Sequence, residues 1–249
     1  MKTLFKALIA LLLSGSAILF IGWRDADDLL QHPLNIQKAA DVEIKAGESL
    51  TILLHRLADQ QILSPYRTAT YLKIYARLSG KELLVKAGEY ELQPGMNSVD
   101  LLNLLLSGKV KLHELQIIEG WTFKQALAAI NASPDLVHTL QNLSSKQIMA
   151  YLGKPDQFPE GWFFPDTYRF SKDTTDVALL QRMLNMMQTV LNEEWEKREA
   201  DLPYASSAEA LAMASIVEKE TGRSDERSRV AGVLGRRLRL GMRLQTVPT

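Results

Sequence analysis

One glutamate, Glu218, has the surroundings that general acid chemistry requires, and it lies in the segment Ala212–Gly222, AMASIVEKETG. Ser206 precedes Glu209 at the spacing of a capping box. We therefore predict a helix that begins after Ser206 and stops before Gly222. The candidate acid then lies in the last turn of that helix.

Helical geometry predicts small and mostly uncharged neighbours for this carboxyl group. With about 100° per residue, Glu218 falls nearly above Leu211 and beside Ala214 and Ser215. Partial removal from water raises the pKa of a carboxyl group, and a general acid that works near neutral pH needs that shift. Small neighbours also leave room for a substrate, so catalysis is one interpretation of this segment.

Two other interpretations stay open. Lys219 and Glu220 continue the helix as a charged EKE turn, which is typical of a solvated helix end. The local pattern alone favours that surface interpretation over catalysis. Glu220 is a second candidate acid, although its direction falls between the bulkier Met213 and Ile216.

A second distinctive stretch is Pro159–Phe170, PEGWFFPDTYRF, which combines two prolines and a glycine with five aromatic residues. Proline and glycine at this density predict an irregular loop instead of a helix. Aromatic faces beside charged groups are suited to a sugar groove, in which Trp162 and Tyr168 would contact the rings. The alternative is a packed loop whose aromatic residues belong to the core, and we favour it for Phe163 and Phe164.

Composition narrows the possible functions. The chain has 249 residues, enough for a sizeable core and two folded units. Its 29 basic residues match its 29 acidic residues, which leaves no electrostatic argument for nucleic acid binding. Cysteine is absent, which excludes disulfides and thiolate chemistry. The four histidines show no metal-ligand spacing, so neither a metal nor a cofactor is expected.

The N-terminal sequence predicts a membrane anchor. Lys2 and Lys6 precede an uncharged segment from Ala7 to Trp23, and the acidic sequence RDADD follows it. This charge distribution places the N-terminus in the cytoplasm and the rest of the chain outside. A cleaved signal peptide is the alternative, but no small-x-small cleavage site follows the segment. We expect a single-pass protein of the cytoplasmic (inner) membrane, anchored through residues 7–23.

The sequence from Val42 to Leu115 predicts a small α+β unit, in which short helices pack on a few strands. Glycine, proline and serine stand at the ends of its apolar segments, where turns and caps are expected. In the second helix, Leu72, Ile74 and Leu78 are the core candidates. Helices are predicted to begin at Ser49, Pro65 and Ser98, and strands are predicted at 41–46, 83–93 and 110–118.

The remaining sequence predicts a mixed α/β domain. Thr122 is the expected N-cap of a helix with the sequence FKQALAAI. A long amphipathic helix is predicted over Asp176–Arg198, because apolar residues recur there at helical spacing. Pro203 separates this helix from the one that carries Glu218.

Three segments that occur in the order EGWFFPDTY, ASIVEKETG and GMRLQT resemble the YceG-like family of endolytic transglycosylases. In the first unit, IKAGESL, AGEY and LLLSGKV are similar to the LysM-like subdomain of that family. The resemblance implies an anchor at 1–23, a LysM-like subdomain at 24–115 and a YceG-like catalytic domain at 116–249. LysM-type units bind N-acetylated glycans, so this one would tether the protein to peptidoglycan. A structural spacer is the alternative for this unit.

The resemblance also implies the site and the function. The family's catalytic carboxylate falls on Glu218, while Glu160, Tyr168 and Gln245 match motif positions near the glycan. Ser215, beside the acid, is a further expected substrate contact. The implied protein is a membrane-anchored lytic transglycosylase that cleaves the MurNAc–GlcNAc β-1,4 bond of peptidoglycan and so terminates nascent glycan strands. Its expected partners are glycan strands, the cytoplasmic membrane and the cell-wall synthesis machinery.

One carboxyl group suffices for that reaction. Glycosidases generally use two, because one protonates the leaving group and the other acts as nucleophile or activates water. A lytic transglycosylase uses no water, since the C6 hydroxyl of the muramic sugar attacks its own C1 and leaves a 1,6-anhydro end. One glutamate can protonate the leaving oxygen and then accept the C6 proton, and the attached nucleophile has a high effective molarity.

The C-terminal motif departs from the family. Val247 stands where the family has Asp or Asn after Gln245, and the sequence stops at Thr249, before the family's remaining part. We therefore expect an incomplete, truncated catalytic domain with weak or no activity. The competing interpretation is a non-catalytic, peptidoglycan-binding remnant.

Overall fold

The computed structural model describes residues 2–45, 47–80 and 85–244. Its helices and short antiparallel sheets confirm the predicted α+β class. The chain divides into two compact units, Met1–Lys111 and Leu112–Thr249, and each has a core of its own. The domain limits that the family resemblance implies stay predictions.

The first unit is built around a two-stranded antiparallel sheet. Its elements are α1 (Lys2–Gln31), β1 (Ala40–Ile44), α2 (Leu50–Asp59), α3 (Arg67–Leu78), β2 (Gly88–Leu92) and α4 (Ser98–Ser107). The register pairs Ala40 with Leu92 and Ile44 with Gly88. The strands predicted at 41–46 and 83–93 correspond to β1 and β2, and positions 46, 83 and 84 lie outside the described residues.

Side-chain caps set the starts of α2 and α4. The Ser49 hydroxyl accepts a hydrogen bond of 3.3 Å from the amide of Ile52, so the predicted cap of α2 is confirmed. The cap predicted at Ser98 is wrong by one residue, because Asn97 caps α4. Asn97 and Asp100 form a reciprocal capping box, which satisfies two backbone donors at once.

The buried face of α3 differs from the predicted one. Leu72 is buried, but Ile74 and Leu78 are 49% and 84% exposed. Around the helix, Ile74 lies about 160° and Leu78 about 120° from Leu72, so neither shares its face. The face that packs on the core carries small residues beside one leucine, and its members are Thr68, Ala69, Leu72 and Ala76.

The long helix α1 is tied to α3 near its C-terminal end. Asp25 accepts hydrogen bonds from Arg67 Nη2 at 3.0 Å and from the Tyr71 hydroxyl at 2.9 Å. Among the described residues, no helix combines the length and the apolarity that a membrane span needs. The anchor predicted over residues 1–23 therefore stays a prediction.

The second unit contains the remaining two strands and five helices of the described residues. They are β3 (Leu112–Gln116), α5 (Phe123–Ala132), α6 (Ser145–Tyr151), β4 (Thr167–Ser171), α7 (Asp176–Glu196), α8 (Ser207–Glu220) and α9 (Ser224–Arg239). Strands β3 and β4 are antiparallel, with Leu112 opposite Ser171 and Gln116 opposite Thr167. The strand predicted at 110–118 is thus β3, and its partner follows the aromatic loop.

Two of the predicted helices, α5 and α7, help to form the walls of the cavity beside α8. Thr122 caps α5 and forms a capping box with Gln125, as the sequence predicts. The amphipathic helix predicted from Asp176 is α7, which ends at Glu196. Asp176 is fully buried, and its carboxylate accepts hydrogen bonds from the amides of Thr139 and Leu140 at 2.9 Å. This carboxylate therefore joins the start of α7 to the loop that follows α5.

The helix predicted around Glu218 is confirmed as α8. The hydroxyl of Ser206 accepts a 3.3 Å hydrogen bond from the amide of Glu209, and the helix ends at Glu220. Helix α9 follows after a short turn and is absent from the sequence prediction. The two helices pack through a small apolar cluster, whose buried members are Met213, Val217 and Leu234.

Candidate active site

A cavity of about 440 Å³ lies beside the C-terminal half of α8. This volume is within the range of small-ligand sites. Three segments of the second unit form most of its walls: the connection from β3 into α5, the aromatic loop around residues 159–165, and one face of α8; Met187 of α7 completes the lining. From α8 the lining residues are Leu211, Ala214, Ser215, Glu218 and Lys219.

The helix face that the sequence predicts around the candidate acid is the face that lines this cavity. Leu211, Ala214, Ser215 and Glu218 follow the helical repeat and lie on one side of α8. The Ser215 hydroxyl donates to the carbonyl oxygen of Leu211 at 2.8 Å. Its oxygen can still accept a hydrogen bond, which leaves Ser215 available as a substrate contact.

Two glycines bring backbone close to this helix face. Gly120 and Gly161 have positive φ angles of 75° and 81°, a region that side chains with a Cβ rarely adopt. A Cβ at Gly120 would lie 3.7 Å from Cγ of Glu218, and one at Gly161 would lie 3.9 Å from Oγ of Ser215. On the side of Gly120, the candidate acid thus faces backbone instead of a bulky side chain.

Lys219 fastens the last turn of α8 to that backbone. Its ammonium group donates to the carbonyl oxygen of Gly120 at 2.7 Å. The EKE sequence is therefore not a turn that is solvated on all sides, because its lysine is bound across the cavity. The hydrogen bond keeps Gly120 close to Glu218.

The surroundings of Glu218, predicted to be mostly uncharged, also contain one charged partner. Arg227 of α9 forms an ion pair with it, with Nη2 at 2.9 Å from Oε2 and 3.3 Å from Oε1. The side chain of Glu218 is 29% exposed. The sequence did carry a signal for α9, since acidic residues in its first turn and arginines in its last turn are typical of a helix.

Glu160 lies in the cavity wall and caps a helix at the same time. Its Oε2 accepts a hydrogen bond of 2.8 Å from the amide of Phe123, the first residue of α5. A carboxylate there also interacts favourably with the helix dipole. One of its oxygens is thus engaged by backbone, and its predicted contact with substrate stays untested.

Tyr168 has a core position, and its predicted contact with sugar is not supported. The side chain is 4% exposed, and its hydroxyl donates to the carbonyl oxygen of Phe164 at 2.6 Å. Burial raises the pKa of Tyr168 to about 12. The residue points inward because residues on β4 alternate between the core and the outside.

The other aromatic residues of the loop divide between core and cavity. Phe163 stacks on Phe123 with ring centroids 4.9 Å apart, so its predicted core position is confirmed. Phe164 lines the cavity, which differs from the prediction that favoured the core. Trp162 is half-buried and packs against the core of this unit.

Gln245 and Val247 lie outside the described residues. Within residues 2–45, 47–80 and 85–244, no group of three histidine, aspartate or glutamate side chains could hold a metal ion.

Comparison with known proteins assigns the family. The model of the YceG-like family matches residues 42–249. This chain therefore belongs to the YceG-like family, and the resemblance seen in its motifs is confirmed.

The chain is also similar to curated relatives named endolytic murein transglycosylase. It is 27% identical to the protein from Streptococcus pneumoniae serotype 2 (strain D39), over 97% of this chain and 48% of the relative. It is 27% identical to the protein from Bacillus subtilis (strain 168), over 84% of this chain and 61% of the relative. The chain thus spans about half to three fifths of the length of these relatives.

Among solved structures, a putative yceG-like protein from Listeria monocytogenes is similar to this chain. The sequence identity is 26%, and the match covers 85% of this chain and 73% of that one. The TM-score is 0.41. The family assignment rests on the family model.

Proposed function

We propose that this protein is a lytic transglycosylase that cleaves the MurNAc–GlcNAc β-1,4 bond of peptidoglycan, with Glu218 as its acid and base. The observation that carries the proposal is the position of the Glu218 carboxylate, on a cavity wall that faces the backbone of Gly120. The names of the curated relatives, endolytic murein transglycosylase, support the same reaction. The cavity also has aromatic and apolar walls suited to sugar rings.

The proposed reaction needs one proton donor that becomes the proton acceptor. Glu218 gives its proton to the glycosidic oxygen as the bond from C1 to that oxygen breaks. The C6 hydroxyl of the same muramic sugar then forms a bond to C1, and its proton returns to the Glu218 carboxylate. The product carries a 1,6-anhydro end, and the enzyme is restored without a water molecule.

Three further residues are proposed as substrate contacts. Ser215 lies beside Glu218 on the same helix face and offers a hydroxyl oxygen to an amide or hydroxyl of the glycan. Glu160 lines the same cavity and has a second carboxylate oxygen beyond the one that Phe123 engages. Gln245 is proposed from its place in the family motif. Tyr168 is proposed to support the loop from the core.

The reaction is tested by incubating the full chain with isolated peptidoglycan strands and analysing the new ends by mass spectrometry. We expect anhydromuramyl ends, and we expect Glu218→Gln to lower their rate of formation by about 10²–10⁴-fold. Glu220→Gln is the matched control, because it makes the same chemical change elsewhere on the last turn of α8, and it should keep activity.

Two other outcomes would contradict the proposal. Reducing ends, heavier by one water, would indicate hydrolysis with Glu119 or Glu160 of the cavity wall activating water. No new ends, together with sedimentation of the protein with insoluble peptidoglycan, would favour the non-catalytic remnant.

The location is a separate proposal that rests on the sequence. The charges around residues 7–23 support a single-pass anchor in the cytoplasmic membrane with the N-terminus inside. The test is fractionation of cells that make the full chain, with and without residues 1–23. Membrane recovery that does not depend on residues 1–23 would overturn this proposal.

The role of the first unit is also a proposal. The resemblance of its glycine-containing motifs to LysM-like units supports binding to glycan, and a structural spacer is the alternative. The proposed cellular role is termination of nascent strands beside the synthesis machinery. Glycan strands that stay at normal length in cells without the protein would contradict that role.

A further inference from the structure

The ion pair at Glu218 joins two helices beside the cavity. One nitrogen of Arg227, Nη2, lies 2.9 Å from one carboxylate oxygen and 3.3 Å from the other. The Arg227 side chain is 44% exposed and the Glu218 side chain 29% exposed, so both reach solvent. The guanidinium therefore spans both oxygens of the proposed acid without being buried itself.

The turn between α8 and α9 places Arg227 next to Glu218. The amide of Arg223 donates to the Thr221 hydroxyl oxygen at 3.1 Å, and that hydroxyl donates to Glu226 at 3.2 Å. Thr221 is buried at the end of α8. Because these contacts fix the start of α9, the next residue after Glu226 comes back over the last turn of α8.

The other charged groups around the site have different positions. Lys219, on the same helix as Glu218, donates to the carbonyl oxygen of Gly120. Arg223 pairs with Asp225 and with Glu226 on α9. In the cavity wall, Glu160 accepts from the Phe123 amide, and Glu119 lies in the connection from β3 to α5. Among the residues that the structure describes, Arg227 is the cation that forms an ion pair with Glu218.

We propose that Arg227 is a positioning residue for the reaction, an inference that rests on the proposed function. It fixes the orientation of the Glu218 carboxyl group toward the cavity. It also stabilises the negative charge that forms on Glu218 when its proton passes to the leaving glycosidic oxygen. When the C6 hydroxyl proton returns to the carboxylate, that charge is removed and the ion pair weakens again.

The consequence is a defined split between binding and chemistry. Arg227 acts through Glu218 and does not contact the glycan, so it contributes to the transition state and little to substrate binding. Its removal should therefore lower kcat and leave KM nearly unchanged. A lysine in its place keeps the positive charge, but its shorter side chain holds the ammonium group farther from the carboxylate, so it should restore activity in part.

The kinetic test compares three variants of the full chain on peptidoglycan strands. We expect Arg227→Gln to lower kcat by about 10- to 100-fold, the range for losing one hydrogen bond to a charged group, with KM within about threefold. Arg227→Lys should recover part of that loss. Arg229→Gln is the matched control, because it lies about 200° around α9 from Arg227, and it should keep wild-type kcat.

Chemical labelling gives a readout that does not need activity. Glu218 and Glu220 are labelled with a carbodiimide and an amine, and the rate at each site is read by mass spectrometry. The guanidinium of Arg227 occupies the oxygens of Glu218 that the reagent must reach. We expect Arg227→Gln to speed labelling of Glu218 severalfold and to leave Glu220 unchanged.

Defined results overturn the inference. An unchanged kcat in Arg227→Gln would do so, as would a kcat loss that lysine does not relieve and that comes with a lower melting temperature. Equal labelling of Glu218 in both proteins would show that the ion pair does not form in solution. A wild-type chain that makes no product overturns the proposed function instead, and labelling then decides alone whether Arg227 holds Glu218.

Discussion

Two serine-capped helices, α2 in the first unit and α8 in the second, bury very different amounts of side chain. Helix α2 has ten residues, of which Leu50, Leu53, Leu54, Leu57 and Ala58 are buried. Helix α8 has fourteen residues, but Met213 and Val217 are its buried ones. The caps are alike, so the difference comes from what the helix faces cover.

The comparison separates a helix that supports a core from one that supports a cavity. Leucines on α2 fill space between elements, and each buried leucine contributes roughly 1.5–3 kcal/mol of hydrophobic stabilisation. On α8 the face that lines the cavity carries Ala214 and Ser215, which leave space open and contribute little burial. Substitutions in the two helices should therefore affect different properties.

The largest expected effect is on activity and comes from α8. Glu218→Gln should lower the rate of anhydromuramyl product formation by about 10²–10⁴-fold, since the proton donor is lost while the side-chain shape is kept. Its melting temperature should stay near that of the wild type, because Glu218 is partly exposed. A melting temperature far below that of the wild type would contradict the proposed difference between α8 and α2.

The largest expected effect on stability comes from α2. Leu54 is buried in the core of the first unit, and Leu54→Ala should lower its unfolding free energy by about 2–5 kcal/mol through lost burial and a cavity. Hydrogen exchange of the α2 amides measures this loss. Ile52→Ala is the control in the same helix, since Ile52 is 60% exposed, and equal losses in both variants would contradict the assigned core.

Removing the serine caps should lower stability by less than the core substitution does, and by a similar amount in the two helices. Ser49→Ala and Ser206→Ala each remove an oxygen that accepts from a backbone amide in the first turn. We expect a loss of about 1 kcal/mol in each case. Faster hydrogen exchange in the first turn of each helix would measure it, and an effect in one helix alone would show that their caps are not equivalent.

The last expected effect is confined to alkaline pH and lies in the second unit. Burial raises the pKa of Tyr168 to about 12 from an ordinary value near 10. Its contribution to stability is therefore fully present below pH 10 and is lost as the pH rises toward about 12, because the unfolded chain releases the proton first. Urea unfolding across this range measures the fall.

Tyr168→Phe should remove that part of the pH dependence. The exposed Tyr151 serves as the control, and Tyr151→Phe should leave the fall in place. If ultraviolet absorbance shows that Tyr168 ionises with the exposed tyrosines, its buried position in β4 is wrong.

Local sequence was sufficient for the parts of the site that depend on neighbouring residues. The cap at Ser206, the end of α8 and the shared face of Ser215 and Glu218 follow from hydrogen bonds and spacing within one helix. The irregular part of the aromatic stretch, residues 159–166, follows from its prolines and glycine in the same way, whereas its last four residues form part of β4. The motifs were also sufficient for the family, which the match over residues 42–249 confirms.

The surroundings of Glu218 depended on residues that are remote in sequence or that belong to an unrecognised helix. Gly120 is close to Glu218 because chain segments about a hundred residues apart meet there, and Lys219 binds its carbonyl oxygen. Arg227 reaches Glu218 because the turn at the buried residue Thr221 leads the chain from α8 into α9. Tyr168 is in the core because β4 pairs with β3. The residue types and their spacing predicted the acid and its helix. The turn into α9 supplied the partner of the acid, and packing between distant segments formed the cavity.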